Sequence, residues 1–266
     1  MTTKWGKFEE GCVKYLNDTY SDYAIFSREG GSNSKQPDII ATTASGEQLI
    51  IEVKSKSAQG FQFTLLPDEE SRTFLYTASL KENPASRRIK SYMEKHFDCY
   101  KEVSTAGIPI EMEEKIFFEH AKDYSHQKKV DFFISKYKKS YIITPTNHID
   151  RYFSITANYR IKNSGTRYPG KKYKDDIDTQ LSALGCEYLL RMGDSKKKTF
   201  VETEYDLHLH YLNGSLATYF CRVAEQNKYS ITKCSDTKNP NVIFQLVTKS
   251  AQHNDDILAF EEKIGK

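Results

Sequence analysis

The chain has 266 residues, 38% hydrophobic and 28% charged, with a formal net charge of only +3. That length suits one large domain or two small ones with a real core. No run of eighteen apolar residues occurs, so no membrane span is expected, and the polar start MTTKWGKFEEGCVKYL predicts no signal peptide. Five cysteines, odd in number and without a CxxC pair, read as free thiols of a cytoplasmic protein.

In chain order, Phe8, Cys12, Tyr15 and Leu16 recur at helical spacing and predict a helix over 5–19. YAIFSRE (23–29) reads as a short strand and GGSNSKQ as a polar loop. PDIIAT and QLIIEVKS read as two strands of a hairpin joined by ASGE. FQFTLLP (61–67) alternates as a further strand, and helices are expected over 84–99, with Pro84 in the first turn, and over 111–127. KVDFFISKYKKSYIITP (129–145) holds two β-rich runs around a basic turn, and TNHIDRYF reads as a short helix. Beyond residue 155 the pattern is less regular. It predicts a helix over 174–184, β-rich pieces near 186–192, 200–212, 216–224 and 241–248, and a helix in the last dozen residues. The change near residue 145 divides an expected α/β core (1–145) from a basic, β-rich region (146–266), the two packed as one integrated domain.

The hairpin carries the chemistry. Glu52 and Lys54 stand two apart on an otherwise apolar strand, so both face one side and Val53 faces the other. Burying such charges without partners costs several kcal/mol, roughly the stability of a domain. A hairpin register brings Asp38 beside them. Two carboxylates suit a hard divalent cation such as Mg²⁺. A neighbouring lysine suits the orientation of an attacking water and the negative charge that develops on a phosphate.

Pro37-Asp38, thirteen intervening residues and Glu52-Val53-Lys54 resemble the PD-(D/E)xK nuclease signature. The resemblance implies a central mixed sheet flanked by helices, with Asp38 and Glu52 as Mg²⁺ ligands and Lys54 as a catalytic residue. Glu9 lies on the first helix, from which such nucleases supply a further carboxylate. Gln59 and Gln62 follow the motif and are candidates for positioning water or touching the DNA backbone. Separated blocks widen the likeness: FEEGCVKYLNDTY (8–20), IEVKSKSAQGFQF (51–63), VDFFIS (130–135), NYRIKNSGTRY (158–168) and NPNVIFQL (239–246). On these the chain resembles the HhaI-type type II restriction endonucleases. That implies Mg²⁺-dependent cleavage of double-stranded DNA at GCGC with 5′-phosphate ends, and a cognate DNA methyltransferase in the same host. A palindromic site favours a symmetric dimer, while the absence of an obvious dimer helix leaves a monomer open.

Charge supports a nucleic-acid partner. Residues 135–174 hold ten Lys/Arg and one acid, a net +9, so the rest of the chain is net −6. Arginine and lysine donate to guanine O6 and N7. Arg160, Lys162, Asn163, Ser164 and Arg167 are therefore readout candidates, Gly165 permits close backbone approach, and Lys171 and Lys172 suit phosphates. Two other readings remain: a structure-specific repair or resolving nuclease of the same core, and a DNA-binding module that never cuts. GTRYPGKK (165–172) lacks the Ser/Thr and leading strand of a P-loop, and the HLH at 208–210 lacks partners for a zinc site.

Overall fold

The amphipathic start forms α1 (Lys4–Tyr20), followed by β1 (Ala24–Arg28), β2 (Ile39–Thr43), β3 (Gln48–Val53), β4 (Ser57–Asp68) and β5 (Thr73–Thr77). Next come α2 (Pro84–Lys95), α3 (Phe97–Tyr100), β6 (Ile108–Pro109), α4 (Glu114–Gln127), β7 (Phe132–Tyr137), β8 (Ser140–Pro145), α5 (Ile149–Tyr152) and β9 (Phe153–Ile161). Then follow β10 (Gly165–Arg167), α6 (Lys174–Ser182), β11 (Leu189–Arg191), β12 (Thr199–Glu202), β13 (Tyr211–Asn213), β14 (Thr218–Glu225), β15 (Lys228–Cys234), β16 (Pro240–Thr248) and α7 (Asn254–Ile264). The structure is a computed structural model that describes residues 4–29, 36–161, 165–193, 198–234 and 239–266, without the side chains of 165–167.

The chain divides into two compact units, Met1–Arg160 with Pro240–Lys266, and Ile161–Asn239. In the first, one sheet has the order β1-β2-β3-β7-β8 and a second has β5-β4-β16-β9-β6. The first sheet is mixed: β3 pairs antiparallel with β2 and parallel with β7. Alternation along β3 decides what each face meets. Leu49, Ile51 and Val53 join Cys12 and Leu16 of α1 and Phe260 and Ile264 of α7 in one core. Ile50 packs against the other core, which holds Phe63, Phe117, Phe133, Phe153 and Phe244. Each fully buried Leu, Ile, Val or Phe contributes about 1.5–3 kcal/mol. β7 is covered on both faces, which explains its unbroken run Phe132, Phe133, Ile134 and Ser135.

The second unit has the sheet order β11-β12-β15-β14-β13, with β10 also paired to β15. Its core joins Ile177 and Leu181 of α6 to Val201, Tyr219, Cys221, Tyr229 and Ile231. Asp176 is buried among donors. It accepts from the Ser215 amide at 2.7 Å, the Leu216 amide at 3.2 Å and the Tyr219 hydroxyl at 2.5 Å. Burial pushes its carboxyl up, but these hydrogen bonds outweigh that and hold it below the usual carboxylate range. A Cβ at Gly214 would overlap this carboxylate.

The division differs from a boundary at residue 145. β9 and β16 are neighbours in the second sheet of the first unit, so residues 146–160 and 240–266 pack with 1–145. Predicted elements also shift. The 61–67 strand is the middle of the twelve-residue β4, the 200–212 piece splits into β12 and β13 around a loop with His208 and His210, and β5, β9 and β15 were not predicted as separate strands. Among the described residues no helix is long and apolar enough to cross a membrane.

Candidate active site

The hairpin register sets the site. Ile39 stands opposite Ile51, which places Asp38, one residue before β2, across from the end of β3. Asp38 Oδ2 accepts a hydrogen bond from the Val53 amide at 2.8 Å. Parallel pairing with β7 aligns Glu52 with Phe133 and continues past β3, where the Lys54 amide donates to Ile134 O at 2.9 Å. Main chain therefore fixes all three residues.

Lys54 is only 6% exposed. Its ammonium donates to Glu52 Oε1 at 2.8 Å, and its Nζ lies 5.3 Å from the Phe61 ring centroid and 5.9 Å from that of Phe133. A carboxylate and two aromatic faces thus replace water around the cation. Burial pushes the Asp38 carboxyl up to about 6, and the Glu52 charge adds to this. Burial pushes Glu52 up as well, but the charge and hydrogen bond of Lys54 outweigh it and leave Glu52 below its ordinary value. Glu52 is therefore paired with Lys54, whereas among the described residues Asp38 forms no ion pair, and the Lys54 charge only partly offsets its burial.

That imbalance suits a bound cation. Two adjacent carboxylates, one short of positive charge, match the oxygen donors that Mg²⁺ takes while keeping several waters. Among the described residues no group of three or more His, Cys, Asp and Glu converges, so water and substrate oxygens would complete the set.

Glu9 is 1% exposed and held by Arg28, whose Nε lies 2.8 Å and NH2 2.5 Å from Glu9 Oε2. Glu9 is near enough to Asp38 to add to the upward push on its carboxyl. A cleft of about 470 Å³ opens over the site, and Asp38, Glu52, Lys54, Trp5, Gln36, Gln59 and Lys128 are among its lining residues. Gln62 is exposed on β4 and does not line it.

Four functional candidates were missed in the sequence. Arg28 becomes visible only through its partner Glu9, nineteen residues away. Lys128 lies beyond the C-terminus of α4, near enough to Glu52 to help lower its carboxyl. Trp5, the chain's single tryptophan, sits 39% exposed at the cleft. Phe61 read only as part of an apolar strand.

No protein-family model and no curated protein matches the chain. Among solved structures it is similar to the HhaI endonuclease in complex with DNA, with 30% sequence identity, a TM-score of 0.83, and coverage of 99% of this chain and 100% of that one. The chain belongs to the HhaI endonuclease family. Its mixed α/β architecture of several sheets is that of a restriction endonuclease, and the likeness to HhaI endonuclease extends across both units.

Against that family background, the predicted DNA contacts fall into three groups. Arg160, at the end of β9, belongs to the first unit, and its NH2 donates to Gln59 Oε1 at 3.0 Å, which joins it to the lining of the cleft. Lys171 and Lys172 are exposed in a short turn of the second unit, with Lys172 Nζ 4.9 Å from the Tyr173 ring centroid. Lys162, Asn163 and Ser164 lie outside the described residues, as does the side chain of Arg167. The backbone of 165 and 167 pairs with β15.

Proposed function

We propose that this protein is a type II restriction endonuclease that hydrolyses double-stranded DNA at GCGC in a Mg²⁺-dependent reaction. The observation that carries this reading is the Asp38, Glu52 and Lys54 cluster in an open cleft. The full-length likeness to a DNA-bound endonuclease supports it.

Asp38 and Glu52 would hold Mg²⁺. When bound, the ion supplies charge stabilisation at the phosphate and a more acidic water. Glu52 keeps the Lys54 ammonium pointed along the strand end, where it orients the attacking water and donates to the developing phosphorane oxygens. Water attacks phosphorus in line with the 3′ oxygen, and the bond to that oxygen breaks. The products carry a 5′-phosphate and a 3′-hydroxyl. Lys128 and Gln59 line the cleft as contacts for the flanking backbone, Gln62 is a further backbone contact, and Glu9 supports Asp38 from α1. Guanine readout falls to Arg160, Lys162, Asn163, Ser164 and Arg167, with Gly165 allowing close approach and Lys171 and Lys172 on phosphates. Such an activity requires a cognate DNA methyltransferase to protect the host.

The test is digestion of plasmid DNA with Mg²⁺ or EDTA, followed by sequencing of the ends. Discrete GCGC ends with Mg²⁺, none with EDTA, and a loss of about 100-fold or more in Lys54→Ala are expected. Ends without common sequence point to a structure-guided nuclease. Binding without cutting points to a pure binding module.

A further inference from the structure

The bulge beneath Lys54 has a support of its own. Along β4, Phe63 stands opposite Val242 and Gly60 opposite Phe244, so Phe61 and Gln62 together face Ile243. Phe61 takes φ of 53°, the left-handed conformation that such a bulge usually gives to glycine. A phenylalanine there places its ring over the Lys54 ammonium and edge-on to Phe133, at 6.1 Å between centroids. Gly60 lies beside it, and a Cβ there would stand 3.6 Å from Lys54 Nζ, an ordinary van der Waals contact.

An L-residue keeps this conformation only where its surroundings hold it. The Phe61 carbonyl accepts from His120 Nε2 at 2.8 Å. A carbonyl only accepts, so the proton of His120 is on Nε2. Nδ1 then accepts, and its partner is Asn83 Nδ2 at 3.1 Å. Asn83 is oriented in turn because its Oδ1 caps α2 by accepting from the Ser86 amide at 2.7 Å. His120 is 1% exposed, stacked on Phe244 at 4.8 Å and set edge-on against Phe63. Burial lowers its imidazole to about 4, although the Phe61 carbonyl bond works the other way. The ring is therefore neutral wherever DNA is stable.

We propose that His120 is a positioning residue: as a neutral Nε2–H donor it locks the Phe61 bulge, and the Phe61 ring fixes the Lys54 ammonium for cleavage. The assignment rests on the nuclease reading and adds the element that aims its lysine. A purely structural histidine would satisfy the same carbonyl but would leave the rate of folded enzyme unchanged.

Single-turnover cleavage at saturating enzyme separates these roles, with DNA affinity measured in Ca²⁺. His120→Leu is expected to slow cleavage at least about tenfold while DNA affinity stays within about threefold. His120→Gln, whose amide reaches for the same carbonyl, is expected to recover most of the rate. In a Lys54→Ala background His120→Leu is expected to cost less than about twofold, because its effect passes through Lys54. Should His120→Leu fail to fold, Phe61→Gly carries the test: the rate must fall by a similar factor while DNA affinity stays within about threefold. Wild-type cleavage rates in folded His120→Leu or in Phe61→Gly would overturn the assignment, as would an undiminished effect in the Lys54→Ala background. Wild-type protein that never cuts DNA removes the nuclease reading, and this assignment with it.

Discussion

Replacing Asp38 by asparagine should stabilise the metal-free protein. Asp38 is partly buried, its carboxyl is raised from 3.8 to about 6, and burial and the Glu52 charge are the leading causes. Above pH 6 the folded state therefore carries a penalty that the unfolded chain does not. The penalty fades as pH falls from 6 towards 3.8, because the folded carboxyl protonates first. A shift of about two units corresponds to about 3 kcal/mol at pH 8 and about 1 kcal/mol at pH 4.5. Asparagine removes the charge, and its side-chain oxygen still accepts the Val53 amide. Urea unfolding in EDTA should thus show Asp38→Asn more stable by up to about 3 kcal/mol at pH 8, with a gain about a third as large at pH 4.5. Added Mg²⁺ should stabilise wild type and not the variant, and cleavage should be lost. A variant less stable than wild type at pH 8, or a gain equal at both pH values, would refute the reasoning.

Arg28→Ala leaves Glu9 buried without its cation and should cost about 3 kcal/mol in urea unfolding, with Glu9→Gln in the same chain restoring most of it. Lys128→Ala should weaken DNA binding in Ca²⁺ by about threefold to tenfold and lower the salt slope by about one. Gly214→Ala forces the Asp176 carboxylate off its donors and should destabilise the second unit by about 2 kcal/mol. Hydrogen exchange at the β14 amides, compared with those of β3, reads that loss.

What was legible in the sequence was local. Asp38, Glu52 and Lys54 lie within seventeen residues of chain, and one hairpin register joins them. Periodicity also exposed α1, α2 and the β7–β8 hairpin. Longer-range features left no such trace. β4 recognises β16 across nearly 190 residues, as in the pairing of Ser57 with Val247. Only that pairing reveals the bulge at Phe61 and the return of 240–266 to the first unit. Strand β9 buries Phe153, Ile155, Ala157 and Tyr159 in strict alternation. The serine, threonine and asparagine between them made the stretch read as irregular. Strand β15 alternates Tyr229 and Ile231 in the same way, but its lysines disguise it. Lys128 and His120 join the site through α4, where no spacing rule connects them to Lys54.

The two neighbouring strands β9 and β16 also bear on how such enzymes diversify. Near the start of β9, Tyr152 O accepts from Lys249 N at 2.8 Å, and Ser154 donates to Val247 O. The strands therefore run in opposite directions, and Ile161 and Pro240 emerge at the same end of one sheet. Adjacent strands stand about 5 Å apart, a gap that a linker of a few residues closes. Residues 161–239 are thus a cassette spliced into a single gap of the first unit. Evolution can lengthen, trim or exchange it without disturbing any strand that holds Asp38, Glu52 or Lys54.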